Sequence, residues 1–211
     1  MTAVITDACK NALLDSAVAA GLNTTPHLSL HTGFPPAGGN ELTGGSPAYA
    51  RQPFTWNAAA SGARAIAAAE TFDVAAGTTV RAVAVYDALT SGTQKCWSPA
   101  GASARRAFSV DAAGVTNNDI FSPGHGLTTN DRVLFWPTIG AVLPTGLSED
   151  TEYFVIATGL TTDAFRVSTT QGGGAVDITA IGDGDVQKFV AEVFAGQGTY
   201  QVSTFAVSLP G

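Results

Sequence analysis

The stretch SPGHGLTTNDRVLFW, residues 122–136, brings Ser122, His125 and Asp131 into one loop. These are the side-chain types of a nucleophile, its general base and the acid that orients the base. In the hydrolases that use them on a sheet-and-helix scaffold, the serine stands in Gly-x-Ser-x-Gly on a sharp turn from strand to helix. This chain has no such motif and only one segment with a helical pattern. The loop reads instead as turn chemistry: Pro123-Gly124 and Gly126 turn the chain, Leu127 plugs a small core, and Asn130-Asp131 leads into the strand RVLFW. His125 is expected to satisfy backbone groups at the turn rather than to move protons, because no nucleophile stands in the motif that general-base work on such a scaffold needs.

The other reactive groups are equally unassembled. His27 and His31 are four residues apart in an alternating HLSLH segment, which puts both on one strand face, but a metal site needs three or four ligands and no third is in reach by spacing. Glu149, Asp150 and Glu152 share one polar turn, whereas glycoside hydrolysis needs two carboxylates facing each other across a cleft. Gly172-Gly173 and Asp177 approach a calcium-binding repeat, yet Ala175 stands where glycine is required and there is a single copy. Asp183 and Asp185 lack the closing glutamate of an EF-hand loop. Turns with left-handed glycines account for both stretches. Gly38-Gly39 and Gly44-Gly45 have no lysine to face a phosphate. No catalytic, cofactor-binding or metal-ligating residue is expected, and the chain reads as a non-enzyme.

Composition narrows the classes further. The 211 residues are 45% hydrophobic but only 13% charged, with a net charge of −7, a mean hydropathy of +0.19 and an isoelectric point near 4.7. Such a chain can bury a core, and its field repels phosphate backbones, with no basic cluster larger than Arg105-Arg106 to offset it. Nucleic-acid binding is therefore not expected. The N-terminal MTAVITDACKNALL lacks the basic start of a signal peptide, and no apolar run is long enough to span a bilayer. The reading is a soluble product made in a cytosol, with Cys9 and Cys96 as buried free thiols.

The elements that would hold these residues are mostly strands. Ile5, Ala8, Cys9, Ala12, Leu13, Ser16 or Ala17, and Ala20 form a helical stripe, so residues 4–20 are expected as one amphipathic helix closed by Gly21. HLSLH reads as a half-buried strand, residues 32–50 as a long Gly/Pro loop of the kind that carries function or an interface, and RQPFTW as an edge strand because of Pro53. Residues 57–74 read as loop and then strand. GTTVRAVAVYDA is apolar on both faces apart from Arg81 and should be central. QKCW follows, and AEVFAGQGTYQVSTFAVSL resumes the same texture with a turn at Gly196-Gln197-Gly198. Between them, VTNNDIF, RVLFW, EYFVIAT, AFRVSTT, AVDITA and DVQKFVAEVF give six short strands in about eighty residues, the rhythm of a small barrel or sandwich. The expected fold is mainly β: an antiparallel β-sandwich with one N-terminal α-helix and an inserted small β-barrel or sandwich module. The expected boundaries are 1–21 for the helix, 22–109 with 190–211 for the sandwich, and 110–189 for the insert.

The run LSLHTGFPPAGGNELTGGSPAYARQPFTWNAAASG, then ETFDVAAGTTVRAVAVYDALTSGT and the closing AGQGTYQVSTFAVSL, resembles a family of small structural proteins of tailed bacteriophages, described as minor tail or tail-fibre-like proteins. Its most specific part is LHT…NEL…GG…YARQ…W, and the resemblance covers about residues 28–92 and 191–209. GHGLTTNDRVLF, LPTGLSEDTEYFVI and DAFRVSTTQGGGAVDIT are similar to a small β module recurrent in phage fibres. The resemblance implies a non-enzymatic virion component on the tail or capsid exterior, made in the host cytoplasm, without a cofactor. Its expected partners are other virion proteins, further copies of itself in a homo-oligomer, with a trimer preferred, and a host cell-surface glycan. Neither nucleic acid nor membrane insertion is expected. The helix is the expected assembly element, and Phe34, Tyr49, Trp56 and Trp136 are the candidate surface or interface contacts. The rival reading is a capsid decoration or head-fibre protein.

Overall fold

The structure is a computed structural model that describes residues 6–17, 26–36, 38–138 and 140–208. Its described residues fall into two compact units, one drawn from Met1–Ser98 and Glu192–Gly211, the other from Pro99–Ala191. The fold is mainly β, and the strand pairings among the described residues are antiparallel.

In the first unit, β1 (His27–His31), β2 (Gln52–Pro53), β6 (Ala82–Tyr86) and β7 (Gln94–Pro99) make a four-stranded sheet in the order β2-β1-β6-β7. Pro53 lies on the edge strand, where a missing N–H costs no ladder bond. β6 is central and wholly buried. β1 is not half-buried as its alternation suggests: all five residues are buried. The reason is visible in the register, which pairs Leu28 with Val85 and Leu30 with Val83 on one face, but His27 with Tyr86, Ser29 with Ala84 and His31 with Ala82 on the other. The first face is apolar core. The second is polar, and the loop after β1 folds back to cover it.

The rest of this unit is a long ribbon. β3 (Ala63–Ala65), β4 (Glu70–Val74) and β5 (Thr78–Val80) pair in turn with β16 (Ala206–Ser208), β15 (Gly198–Val202) and β14 (Glu192–Phe194). The register is continuous from β5 through β4, and one extra residue on the outgoing strand separates β4 from β3. The expected turn at Gly196-Gln197-Gly198 is consequently a bend at residues 195–197 that the partner strand follows at residues 75–77, with Gly198 already in β15, and not a reversal. At Arg81 the outgoing chain leaves the ribbon and enters the four-stranded sheet.

α1 (Asp7–Ala17) lies on β3, but with its expected faces exchanged. Leu14 is 6% exposed, while Leu13 is 47% exposed and Ala8, Cys9, Ala12 and Ser16 also face outward. Asn11 Oδ1 accepts from Gly62 N at 2.9 Å, and Asp15 Oδ1 accepts from Ala59 N at 3.2 Å and from Arg64 Nη1 at 3.1 Å. The strand offers donors, so the helix presents acceptors. The calls at residues 4, 5 and 18–21 lie outside the described residues, and Cys9 is exposed rather than buried.

The second unit is a closed six-stranded barrel, β10-β11-β12-β9-β8-β13, made of β8 (Arg106–Val110), β9 (Ile120–Phe121), β10 (Arg132–Pro137), β11 (Tyr153–Ile156), β12 (Ala164–Ser168) and β13 (Gly182–Phe189). Phe108, Val110, Ile120, Val133, Phe135 and Phe165 are part of its core. Two expected strands are changed: of VTNNDIF only Ile120-Phe121 forms a strand, β9, and AVDITA forms none. VTNN belongs to α2 (Ala112–Asn117), capped by Asp111 Oδ1 accepting from Gly114 N at 2.7 Å and closed by Asn118 in the left-handed conformation. AVDITA runs as extended chain outside the ladder, and RAFSV supplies β8 in its place. Gly182 and Gly184 sit in β13 rather than in a turn. Gly184 is needed there because a Cβ would lie 2.5 Å from the Trp136 carbonyl oxygen and 2.8 Å from the Phe108 ring.

Candidate functional site

The residues of LHT…NEL…YARQ converge on the polar face of the four-stranded sheet. His31 Nδ1 donates to Asn40 Oδ1 at 2.9 Å, and its Nε2 is 2.8 Å from Ser29 Oγ. Asn40 is itself oriented by Nδ2 donating to Pro35 O at 3.0 Å, which fixes its oxygen toward the imidazole. Arg51 is the centre of the cluster. Its Nε and Nη2 each donate to one oxygen of Glu41 at 2.7 Å, its Nη1 donates to Ala88 O at 2.8 Å and Ser91 O at 2.6 Å, and its guanidinium lies 3.7 Å from the centroid of Tyr86.

Electrostatics in this cluster favour holding over reacting. The bonds to Glu41 raise the Arg51 pKa above its ordinary value, so the cation is permanent. Burial pushes the Tyr49 phenol well above the usual tyrosine range; its hydroxyl accepts from Leu30 N at 2.9 Å and donates to Glu41 Oε1 at 3.3 Å. Burial raises the Tyr86 phenol in the same direction. Both Glu41 oxygens and four guanidinium bonds are engaged. The arrangement clamps the 32–50 loop onto the sheet, with bidentate geometry that lysine could not reproduce. At the loop's far end, Gln197 accepts from Ser46 N at 2.8 Å and donates to Pro47 O at 3.3 Å.

The four candidate aromatics do not come together. Phe34 is half-buried, 5.7 Å from the Trp97 ring. Tyr49 is half-buried and stacks on Phe72 at 6.1 Å. Trp56 is 8% exposed, set edge-on to Phe54 at 4.8 Å and near Phe205. Trp136 belongs to the barrel, half-buried, with the Arg105 guanidinium 4.1 Å from its ring centroid.

Ser122, His125 and Asp131 are likewise separate. Ser122 Oγ donates to Ala107 O at 2.7 Å. His125 is 6% exposed; its Nδ1 accepts from Leu127 N at 2.9 Å while Nε2 faces Ala164 O at 3.4 Å, and the ring meets Phe165 edge-on. Asp131 Oδ2 accepts from Thr128 N at 2.7 Å and from Lys188 Nζ at 2.8 Å. Ser122 is thus held by β8, His125 by the backbone of its own loop, and Asp131 by that loop and by Lys188 of β13. Among the described residues no three His, Cys, Asp or Glu cluster as metal ligands, and no helix is long and apolar enough to cross a membrane.

Sequence reasoning missed one feature. Beside the His125 loop lies a concavity of about 290 Å³ that Arg106, Lys188, Val186 and Leu127 help to line. Its only sequence signal was the adjacent basic pair Arg105-Arg106, in a chain where basic residues are otherwise scattered.

Compared with known proteins, residues 4–121 match the family described as Podophage GP4 fiber I protein gp80. No curated protein and no solved structure matches the chain.

Proposed function

Because the chain belongs to the podophage GP4 fiber I protein gp80 family, which matches more than half of its length, we propose that this virion fibre protein is a non-enzymatic tail subunit of the minor tail or tail-fibre kind that forms an oligomer, preferentially a trimer, and touches the host surface. The family match carries the reading. The fibre role sits well with the Arg51 cluster, whose polar groups are committed to holding the 32–50 loop.

Assembly is supported by α1. Its inward face is docked through Leu14, Asn11 and Asp15, and its outward face, Ala8, Cys9, Ala12, Leu13 and Ser16, carries no charge. In a chain of net charge −7, an uncharged small-residue stripe is where a second copy approaches without like-charge repulsion. Host contact is assigned to the half-buried aromatics Phe34 and Trp136 and to the barrel module.

Antibody labelling of intact particles tests the location: signal on the tail is expected, and signal confined to the head would replace this reading with capsid decoration. Sedimentation equilibrium of the purified chain tests assembly. A trimer mass is expected, and a monomer at tens of micromolar would sink the oligomer.

A further inference from the structure

The open end of the barrel carries a second, unassigned feature. A six-stranded barrel is narrower than the eight-stranded kind, whose interior is just filled by side chains, so a ligand can be received only at an end. Alternation along β8 puts Arg106 on the same side as the core residues Phe108 and Val110, and alternation along β13 puts Lys188 on the same side as the core residue Val186. Arg106 is paired directly with Val186 in the ladder. Two cations thus point into one mouth, above an apolar floor of Val186 and Leu127, in a concavity of about 290 Å³. The mouths of β-barrels are preferred places for small-molecule sites, and roughly 300 Å³ is the small end of their size range.

The two cations differ in what they already hold. Lys188 is bonded to Asp131 at 2.8 Å. Arg106 has no carboxylate, carbonyl or ring partner among the described residues, whereas at least seven of the ten Lys and Arg sit against a carboxylate. In an acidic chain that pairs most of its cations, an arginine left with its planar donor fork free at a concave site is suited to an incoming oxyanion.

We infer that the barrel mouth binds one anionic saccharide unit, its carboxylate or phosphate on Arg106 beside Lys188 and its C–H face on Leu127 and Val186. The size suits one ring, with the rest of a polymer left outside. This deepens the host-contact reading and rests on it. The shared chemistry is the oxyanion; a uronic acid and a sugar phosphate are its two sources.

Titration calorimetry of the full chain at low ionic strength, with glucuronate, glucose 6-phosphate and glucose as probes, tests the site. At least one anion should bind with a millimolar or tighter constant, the tighter one naming the source, and glucose should not. Arg106→Gln should weaken that binding at least tenfold with an unchanged thermal midpoint, since the side chain supports nothing else. No anion binding by the unaltered protein, or equal binding by Arg106→Gln, overturns the inference. Retention on host cells separates it from the reading beneath it. A chain that binds the anion but is not retained on cells defeats the host-contact reading and leaves the site standing. A chain retained on cells without anion binding defeats the site alone.

Discussion

Arg51 shows how a single residue can look like chemistry and act as architecture. Its guanidinium is held by Glu41, two carbonyls and the Tyr86 ring, so replacing it with methionine leaves a largely buried carboxylate and two carbonyls without their donor. Arg51→Met should cost about 3–5 kcal/mol, read as a lower denaturation midpoint. Gly184→Ala should cost about 1–3 kcal/mol by overpacking against the Trp136 carbonyl. Gly174→Ala, with open space around its Cβ position, should stay within about 0.5 kcal/mol, and equal effects of the two glycine changes on thermal unfolding would refute the packing argument. The thiols separate in the same way. Cys9 is exposed on the single chain, while burial raises the Cys96 thiol to about 11, so at pH 8 iodoacetamide should label Cys9 in the dissociated monomer, more slowly in the oligomer whose stripe covers it, and Cys96 only in denaturant, as peptide mass mapping would show. The residue types of the clamp were readable in NEL and YARQ. What they hold was not, because pairing across ten residues of loop depends on how the loop folds back.

Among the elements, those with a long, simple pattern were legible and those with a short or inverted one were not. β6 is apolar on both faces and is central. α2 is six residues long, too short for a 3.6-residue period to declare itself, and Val115 and Thr116 made it read as strand; the signals were the cap Asp111 and the left-handed Asn118. AVDITA alternates like a strand, but Val176 N bonds to Val167 O and Ile178 N to the Asn118 side chain, so no ladder forms. For α1 the periodicity was right and the facing wrong, because the rule that the apolar stripe turns inward assumes an apolar partner. Here the partner is β3 with its preceding turn, which offers backbone N–H groups and Arg64. That inversion yields a prediction: Leu13→Asp, on the outward face, should lower the apparent oligomer mass by at least a tenfold loss of association while leaving the monomer's circular dichroism intact. If the mass is unchanged, the stripe is not the interface.

At the level of the molecule, one compact unit sits within the sequence of the other. Its two ends are pinned together by Val190 N donating to Ala100 O at 2.9 Å, and its core is drawn from the barrel's own strands and loops. Residues 99–191 expressed alone should therefore give a dispersed amide spectrum and one cooperative melt; a collapsed spectrum would show that the barrel depends on the rest of the chain. The texture change in the sequence pointed to a module, but β8 was hidden by the small polar residues before it, AGASAR. The ribbon that returns along β3, β4 and β5 has a further consequence, in time rather than in space. On a ribosome, the barrel's last strand emerges before β14, β15 and β16, at roughly 5–20 residues per second. The inner module can close while three outer strands still wait, unpaired, for partners at the far end of the message. Those waiting strands are short, and β3 and β4 carry charge at Arg64, Glu70 and Asp73, the kind of edge that resists recruiting a neighbouring nascent chain before its own tail arrives.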